Sequence, residues 1–105
     1  MAADGPAFLN VISPCPRGWR HEASQTIEIC RLSADTCMWP LYEVENGVWK
    51  VNYKPKEKRP VRDWFKAQGR FRHLFTPAFE HVIDEVQARV DQEWARLLRL
   101  AGETA

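Results

Sequence analysis

Paired cysteines, membrane-length apolar runs and a charge bias of one sign are all missing from this sequence. Its cysteines number three, an odd count that argues against the disulfide framework of a secreted scaffold. No apolar run approaches the roughly 20 residues that span a bilayer. The formal net charge of +1 is too near neutral to make nucleic acid or a membrane surface the main partner. The amino terminus, Met1-Ala2-Ala3-Asp4-Gly5-Pro6, has neither the basic start nor the apolar stretch of a secretory leader. A reducing, cytoplasmic location is the resulting expectation. There is no internal repeat and no low-complexity segment.

What is present is ordinary globular composition, 45% hydrophobic and 28% charged. A chain of 105 residues supports one small domain or part of a larger one. A domain of that size buries only roughly two-thirds of its unfolded surface. Five tryptophans is a high count, and such aromatic content calls for a buried face or an interface.

The run Ala7-Phe8-Leu9-Asn10-Val11-Ile12 is almost continuously apolar and is closed by Ser13-Pro14. Such a run reads as a strand buried on both faces, as inside a parallel sheet. A lone buried strand lacks a pairing partner, which hints that the chain is part of a larger body. Ser24 can cap a helix running to about Thr36, with Pro40 as a stop. Ile27, Cys30, Ala34 and Cys37 share one face of it, while Ile29 and Leu32 occupy another. Apolar residues on two sides favour a multilayer α/β arrangement.

Asn46-Gly47 signals a two-residue type I′ hairpin turn. A turn there pairs Val44 with Trp49 and Tyr42 with Val51, and sets Glu43 opposite Lys50. A polar connector over residues 54–60 leads to a short helix at about 61–67, which Gly69 would end. Thr76 as cap and Pro77 in the first turn then open the longest helix. Phe79, Val82, Ile83, Val86, Val90, Trp94, Leu97 and Leu98 recur along it every three or four residues. Glu85 and Arg89 form an i,i+4 pair, and Gly102 is a plausible stop.

Cys15, between Pro14 and Pro16 at the end of the first apolar run, is the leading candidate for chemistry. Flanking prolines stiffen the backbone, and α/β proteins place ligands at the carboxyl ends of strands. From the residues alone, buried packing is the commoner role of a free cysteine, and a cluster site wants about four thiolates. Cys30 and Cys37, seven apart on a helix and thus about 10 Å apart, exceed the reach of a disulfide and read as buried packing. His21, His73 and His81 lack metal-ligand spacing. Glu43, Glu45, Asp84 and Asp91 suit exposed faces. The basic stretch Lys54, Lys56, Lys58, Arg59, Arg62, Arg70 and Arg72 is a solvated loop or a contact for an acidic partner.

Several stretches together resemble the β subunit of pyruvate synthase, a 2-oxoacid:ferredoxin oxidoreductase. They are Gly5-Pro6-Ala7-Phe8 through Ser13-Pro14-Cys15-Pro16-Arg17-Gly18-Trp19, then Trp39-Pro40-Leu41-Tyr42-Glu43-Val44-Glu45-Asn46-Gly47 and Tyr53-Lys54-Pro55. Lys58-Arg59-Pro60-Val61 and Gln68-Gly69-Arg70-Phe71-Arg72-His73-Leu74 fit as well. The resemblance is collinear, covers nearly the whole chain, and implies the carboxy-terminal portion of a thiamine diphosphate-binding α/β fold. On that basis residues 1–105 form one partial domain. The family cleaves a 2-oxoacid with coenzyme A and passes electrons to ferredoxin through a [4Fe–4S] cluster. The cysteine of its Ser-Pro-Cys motif is a cluster ligand, which here is Cys15. The family's Cys-x-x-Cys pair, and the Gly-Asp-Gly segment that holds magnesium and thiamine diphosphate, have no counterpart in this sequence. The resemblance therefore implies a chain inactive alone, needing the remaining part of the β subunit and other oxidoreductase subunits. The competing expectations are a non-catalytic interaction module derived from that subunit, or a redox-responsive cysteine protein.

Overall fold

Proline, glycine and a few left-handed residues punctuate the chain into short elements and one long helix. A computed structural model describes residues 5–102. Met1 to Asp4, part of the stretch read for a leader, lie outside them. The elements are α1 (Pro16–Trp19), α2 (Thr26–Asp35), β1 (Tyr42–Glu45), β2 (Val48–Val51), α3 (Val61–Lys66) and α4 (Glu80–Leu100). One 3-10 turn at Ala23–Gln25 precedes α2, and a second 3-10 segment, Gly69–Phe75, links α3 to α4. No helix among the described residues is long and apolar enough to cross a membrane.

The hairpin forms in the expected register, Tyr42 opposite Val51, Glu43 opposite Lys50 and Val44 opposite Trp49. Asn46 and Gly47 take φ of 53° and 78°, the left-handed pair that a type I′ turn requires. Tyr42 stacks on Trp49 diagonally across the strands, ring centroids 5.7 Å apart. These two strands form the sheet found among the described residues.

Residues 7–12 are not a strand, which corrects the sequence reading. They run without a sheet partner, and Phe8, Leu9 and Val11 are 89%, 85% and 71% exposed. A strand needs neighbours to satisfy its N–H and C=O groups, and the hairpin offers it no edge. The fold is thus mixed helix and strand, with an antiparallel hairpin and a long carboxy-terminal helix. The multilayer reading of α2 also fails within this chain. Ile29, Leu32 and Ser33 are buried, while Ile27 is 71% exposed and Cys30 is exposed.

Local hydrogen bonds explain where the helix ends moved. Ser24 falls in the 3-10 turn, and Thr26 Oγ1 donates to the Ala23 carbonyl at 2.8 Å. The helix closes when Cys37 turns left-handed at φ 62°, three residues before Pro40. Thr76 does not cap α4: its hydroxyl donates to the His73 carbonyl, and its own carbonyl receives the amides of Phe79 and Glu80. That extra turn delays α4 to Glu80. Arg89 pairs with Glu93 at 3.4 Å, one turn beyond the expected Glu85. Gly102, at φ 73°, follows the last turn and donates to the Arg99 carbonyl.

The core lies where α2, α3, the second 3-10 segment and α4 meet. Val61, Trp64 and Phe65 of α3 pack there with Ile29, Leu74 and Ile83. Gln87 of α4 accepts the Val61 amide at 2.8 Å, satisfying a helix-start donor that Pro60 cannot cap. Trp64 is the hub. Its ring meets Trp19, Phe65 and Phe71 at 5.9, 5.4 and 5.6 Å between centroids. Its indole Nε1 donates to the buried Ser33 Oγ at 2.7 Å. Trp64→Phe should destabilise the chain by about 1–3 kcal/mol through the lost donor and the smaller ring. Urea denaturation checks this, and an unchanged midpoint would remove Trp64 as the hub.

Candidate metal ligand at Cys15

Cys15 lies immediately before the single-turn helix α1, in extended conformation at φ −120° and ψ 111°. Its side chain is exposed, and Sγ accepts the Gly18 amide at 3.4 Å. Its carbonyl accepts the Trp19 amide at 2.8 Å, so the turn closes on the cysteine through both side chain and backbone. Pro14 and Pro16 restrict the backbone on either side. The sulfur is therefore presented outward from a fixed turn.

That turn is fastened to the core at two points. Trp19 sets its ring edge against Trp64. Arg20, left-handed at φ 57°, offers its carbonyl to the Gly69 amide at 2.8 Å. A Cβ on Gly69 would stand 2.8 Å from Arg20 Cβ and 3.1 Å from its carbonyl oxygen. Gly69 thus serves close backbone approach and starts the 3-10 segment, whereas the sequence suggested a helix stop. Arg70 follows it and lies over Trp19 and Phe71 at 4.2 and 4.6 Å, its Nε donating to Gln68 Oε1. Burial draws this guanidinium below its ordinary pKa. Neither the Gly69 clamp nor the Arg70 stack could be found from sequence, because both join residues some 50 positions apart with no local pattern.

The three thiols are not brought together. Cys30 is exposed on α2, contrary to the expected packing role. Cys37 is buried, and burial pushes its thiol up to about 11. Because Cys37 is left-handed and outside α2, the helical spacing assumed between the two does not apply. Among the described residues no group of three or more His, Cys, Asp or Glu could hold a metal ion. Cys15 by itself offers one exposed thiol, and further ligands beside it have no source among the described residues.

Three cations of the basic stretch are paired within the chain. Lys58 pairs with Asp91, Arg59 with Asp63 at 3.0 Å, and Arg62 with Glu80 at 3.5 Å. Burial pushes the Asp91 carboxyl up, but hydrogen bonds from Lys58 and Gln87 outweigh it and leave the pKa below the usual value. The Tyr53 hydroxyl donates to Asp35, which raises the phenol pKa. These contacts fold the connector onto α2 and α4.

Two measurements follow from this geometry. With a thiol-reactive chromophore at pH 8, Cys15 and Cys30 should react quickly. Cys37 should wait for unfolding, because burial disfavours its thiolate. Three equal rates would contradict its burial. Gly69→Ala should cost about 1–3 kcal/mol by overpacking and shift the Gly18 amide resonance. A variant with wild-type stability and an unmoved Gly18 signal would show that the clamp does not hold the Cys15 turn.

No family model matches the chain. It is similar to pyruvate synthase subunit PorB of Thermotoga maritima, with 51% identity over 102 residues that cover 96% of this chain and 32% of that protein. To the PorB of Methanocaldococcus jannaschii the identity is 40% over 89% of the chain and 30% of the relative. Ketoisovalerate oxidoreductase subunit VorB of Pyrococcus abyssi is 41% identical over 92% of the chain and 30% of the relative. The chain spans about a third of the length of the curated relatives it matches. It belongs to the family of pyruvate synthase subunit PorB and ketoisovalerate oxidoreductase subunit VorB, of which it is a C-terminal part.

Proposed function

We propose that this chain supplies the carboxy-terminal part of the thiamine diphosphate-binding β subunit of a 2-oxoacid:ferredoxin oxidoreductase. Cys15 would be one thiolate ligand of its [4Fe–4S] cluster. The observation that carries the reading is the exposed Cys15, held in a stiff turn beside an uncovered apolar segment. Sequence similarity over most of the chain supports the same assignment. Relatives at 51% and 40% identity are named for pyruvate and one at 41% for ketoisovalerate, so the substrate class is a 2-oxoacid, with pyruvate the member the sequence resemblance implies.

The residues of this chain would act by holding, not by reacting. Cys15 offers a sulfur whose position is set by Pro14, Pro16 and the Trp19–Trp64 contact. The Gly18 amide already points at that sulfur, and hydrogen bonds to cluster sulfurs tune the reduction potential. When bound, the cluster would carry single electrons between the reacting cofactor and ferredoxin. Thiamine diphosphate and magnesium would be held outside this chain, since the Gly-Asp-Gly segment that grips them is missing from these residues. The fold is that of a partial domain, completed by the rest of the β subunit. Two exposed free thiols suit a reducing cytoplasm.

The test uses the chain assembled with the remaining subunit parts and reduced under anaerobic conditions. Cys15→Ala should abolish the electron paramagnetic resonance signal of the cluster nearest thiamine diphosphate, while Cys30→Ala should leave it. An intact four-thiolate cluster in Cys15→Ala would end the ligand assignment.

A further inference from the structure

Among the described residues Arg70 is the only arginine that is not exposed. It is half-buried, yet no carboxylate among those residues pairs with it. Arg59, Arg62, Arg89 and Arg96, all on the open surface, each have an acidic partner, and so does the half-buried Lys58. The charge of Arg70 meets aromatic faces instead. Its guanidinium carbon lies 4.2 Å from the ring centroid of Trp19, 4.6 Å from that of Phe71 and 5.8 Å from that of Trp64. Its Nε donates to Oε1 of Gln68, a buried side chain whose own amide donates to the Trp64 carbonyl at 2.9 Å. A buried amide thus sets the orientation of the guanidinium. An apolar side chain of the same length would fill this place without the desolvation cost of a charge. Packing alone does not account for an unpaired cation here.

The stack bears on the Cys15 turn. Trp19 closes that turn by donating its amide to the Cys15 carbonyl at 2.8 Å, and the same turn aims the Gly18 amide at Cys15 Sγ. Arg70 covers the Trp19 ring, whose edge rests on Trp64, so two partners hold the ring. A planar guanidinium stacks on an aromatic face in a way that a lysine ammonium does not match.

Resting on the reading of Cys15 as a cluster ligand, we propose that Arg70 is a positioning residue for that ligand. It locks Trp19, and with it the Gly18–Cys15 contact, while its unpaired charge raises the reduction potential of the cluster. A cation nearby favours the state that holds one more electron. Net charge and hydrogen bonds to sulfur are among the factors that set cluster potentials. Arg70 acts through Trp19 and through its field.

The test compares Arg70→Lys, which keeps the charge and loses the plane, with Arg70→Met, which loses both. In the full chain the Gly18 amide resonance should move in both variants, with circular dichroism showing the fold retained. In the chain assembled with the remaining subunit parts, an anaerobic redox titration followed by electron paramagnetic resonance reads the cluster nearest thiamine diphosphate. At a fixed applied potential, Arg70→Met should lower its reduced-to-oxidised ratio about tenfold, equivalent to about 59 mV for one electron. Arg70→Lys should lower it about threefold or less, because the charge remains. Lys50→Met on the hairpin removes the same charge elsewhere and should leave both readouts at wild type. Should Arg70→Met fail to fold, Arg70→Gln takes its place with the same expectation. A wild-type potential in Arg70→Met, equal shifts in Arg70→Lys and Arg70→Met, or an unmoved Gly18 signal would overturn the proposal. A cluster that survives Cys15→Ala would end the ligand reading separately, and the Gly18 signal would still decide whether Arg70 positions the turn.

Discussion

The contact between Trp64 and its neighbours holds the candidate site together. One indole joins four parts of the chain: Trp19 after the Cys15 turn, Ser33 of α2, Phe65 beside it on α3, and Phe71 of the second 3-10 segment. Each partner is weak alone, since an aromatic pair is worth about 0.5–1.5 kcal/mol beyond its area. Together they convert a four-residue helix, too short to be stable by itself, into a rigid mount. The Gly69 amide on the Arg20 carbonyl then fixes the mount's exit. Cys15 inherits its position from that arrangement, not from a sheet.

A chain this small must leave part of its apolar surface open, and where it does so is informative. The uncovered residues include Phe8, Leu9 and Val11, just before Cys15, and Ile27 on the outer side of α2. Scattered apolar residues on a surface are normal, whereas a consecutive run is characteristic of an interface. The relatives carry about twice as much further sequence as this chain contains. Burial of residues 8–12 against that further sequence would cover this apolar run.

Local features of the sequence proved legible, and features that depend on distant residues did not. The hairpin could be read residue by residue because Asn46-Gly47, the alternation around it and the Glu43–Lys50 pair all act within ten positions. The short helix expected at about 61–67 after Pro60 forms as Val61–Lys66. Residues 7–12 misled because an apolar run does not say what covers it, and among the described residues no strand pairs with it. Thr76-Pro77 carried a helix-start signal, yet the Thr76 hydroxyl found the His73 carbonyl first. Cys15 was singled out by its flanking prolines and its family resemblance. The clamp that positions it, Gly69 against Arg20, leaves no mark in either local sequence. Of the basic stretch over residues 54–72, Lys58, Arg59 and Arg62 meet Asp91, Asp63 and Glu80, partners that no local pattern announced.

The claim that this chain is completed by another stretch of polypeptide is tested most directly by amide hydrogen exchange over residues 8–12. The comparison is between the chain alone and the chain assembled with the remaining part of the subunit. Alone, these amides should exchange at nearly unprotected rates, and assembly should slow them about 100-fold or more as they enter a sheet. Equal exchange in both states would contradict the account, because the apolar segment beside Cys15 would then be no interface.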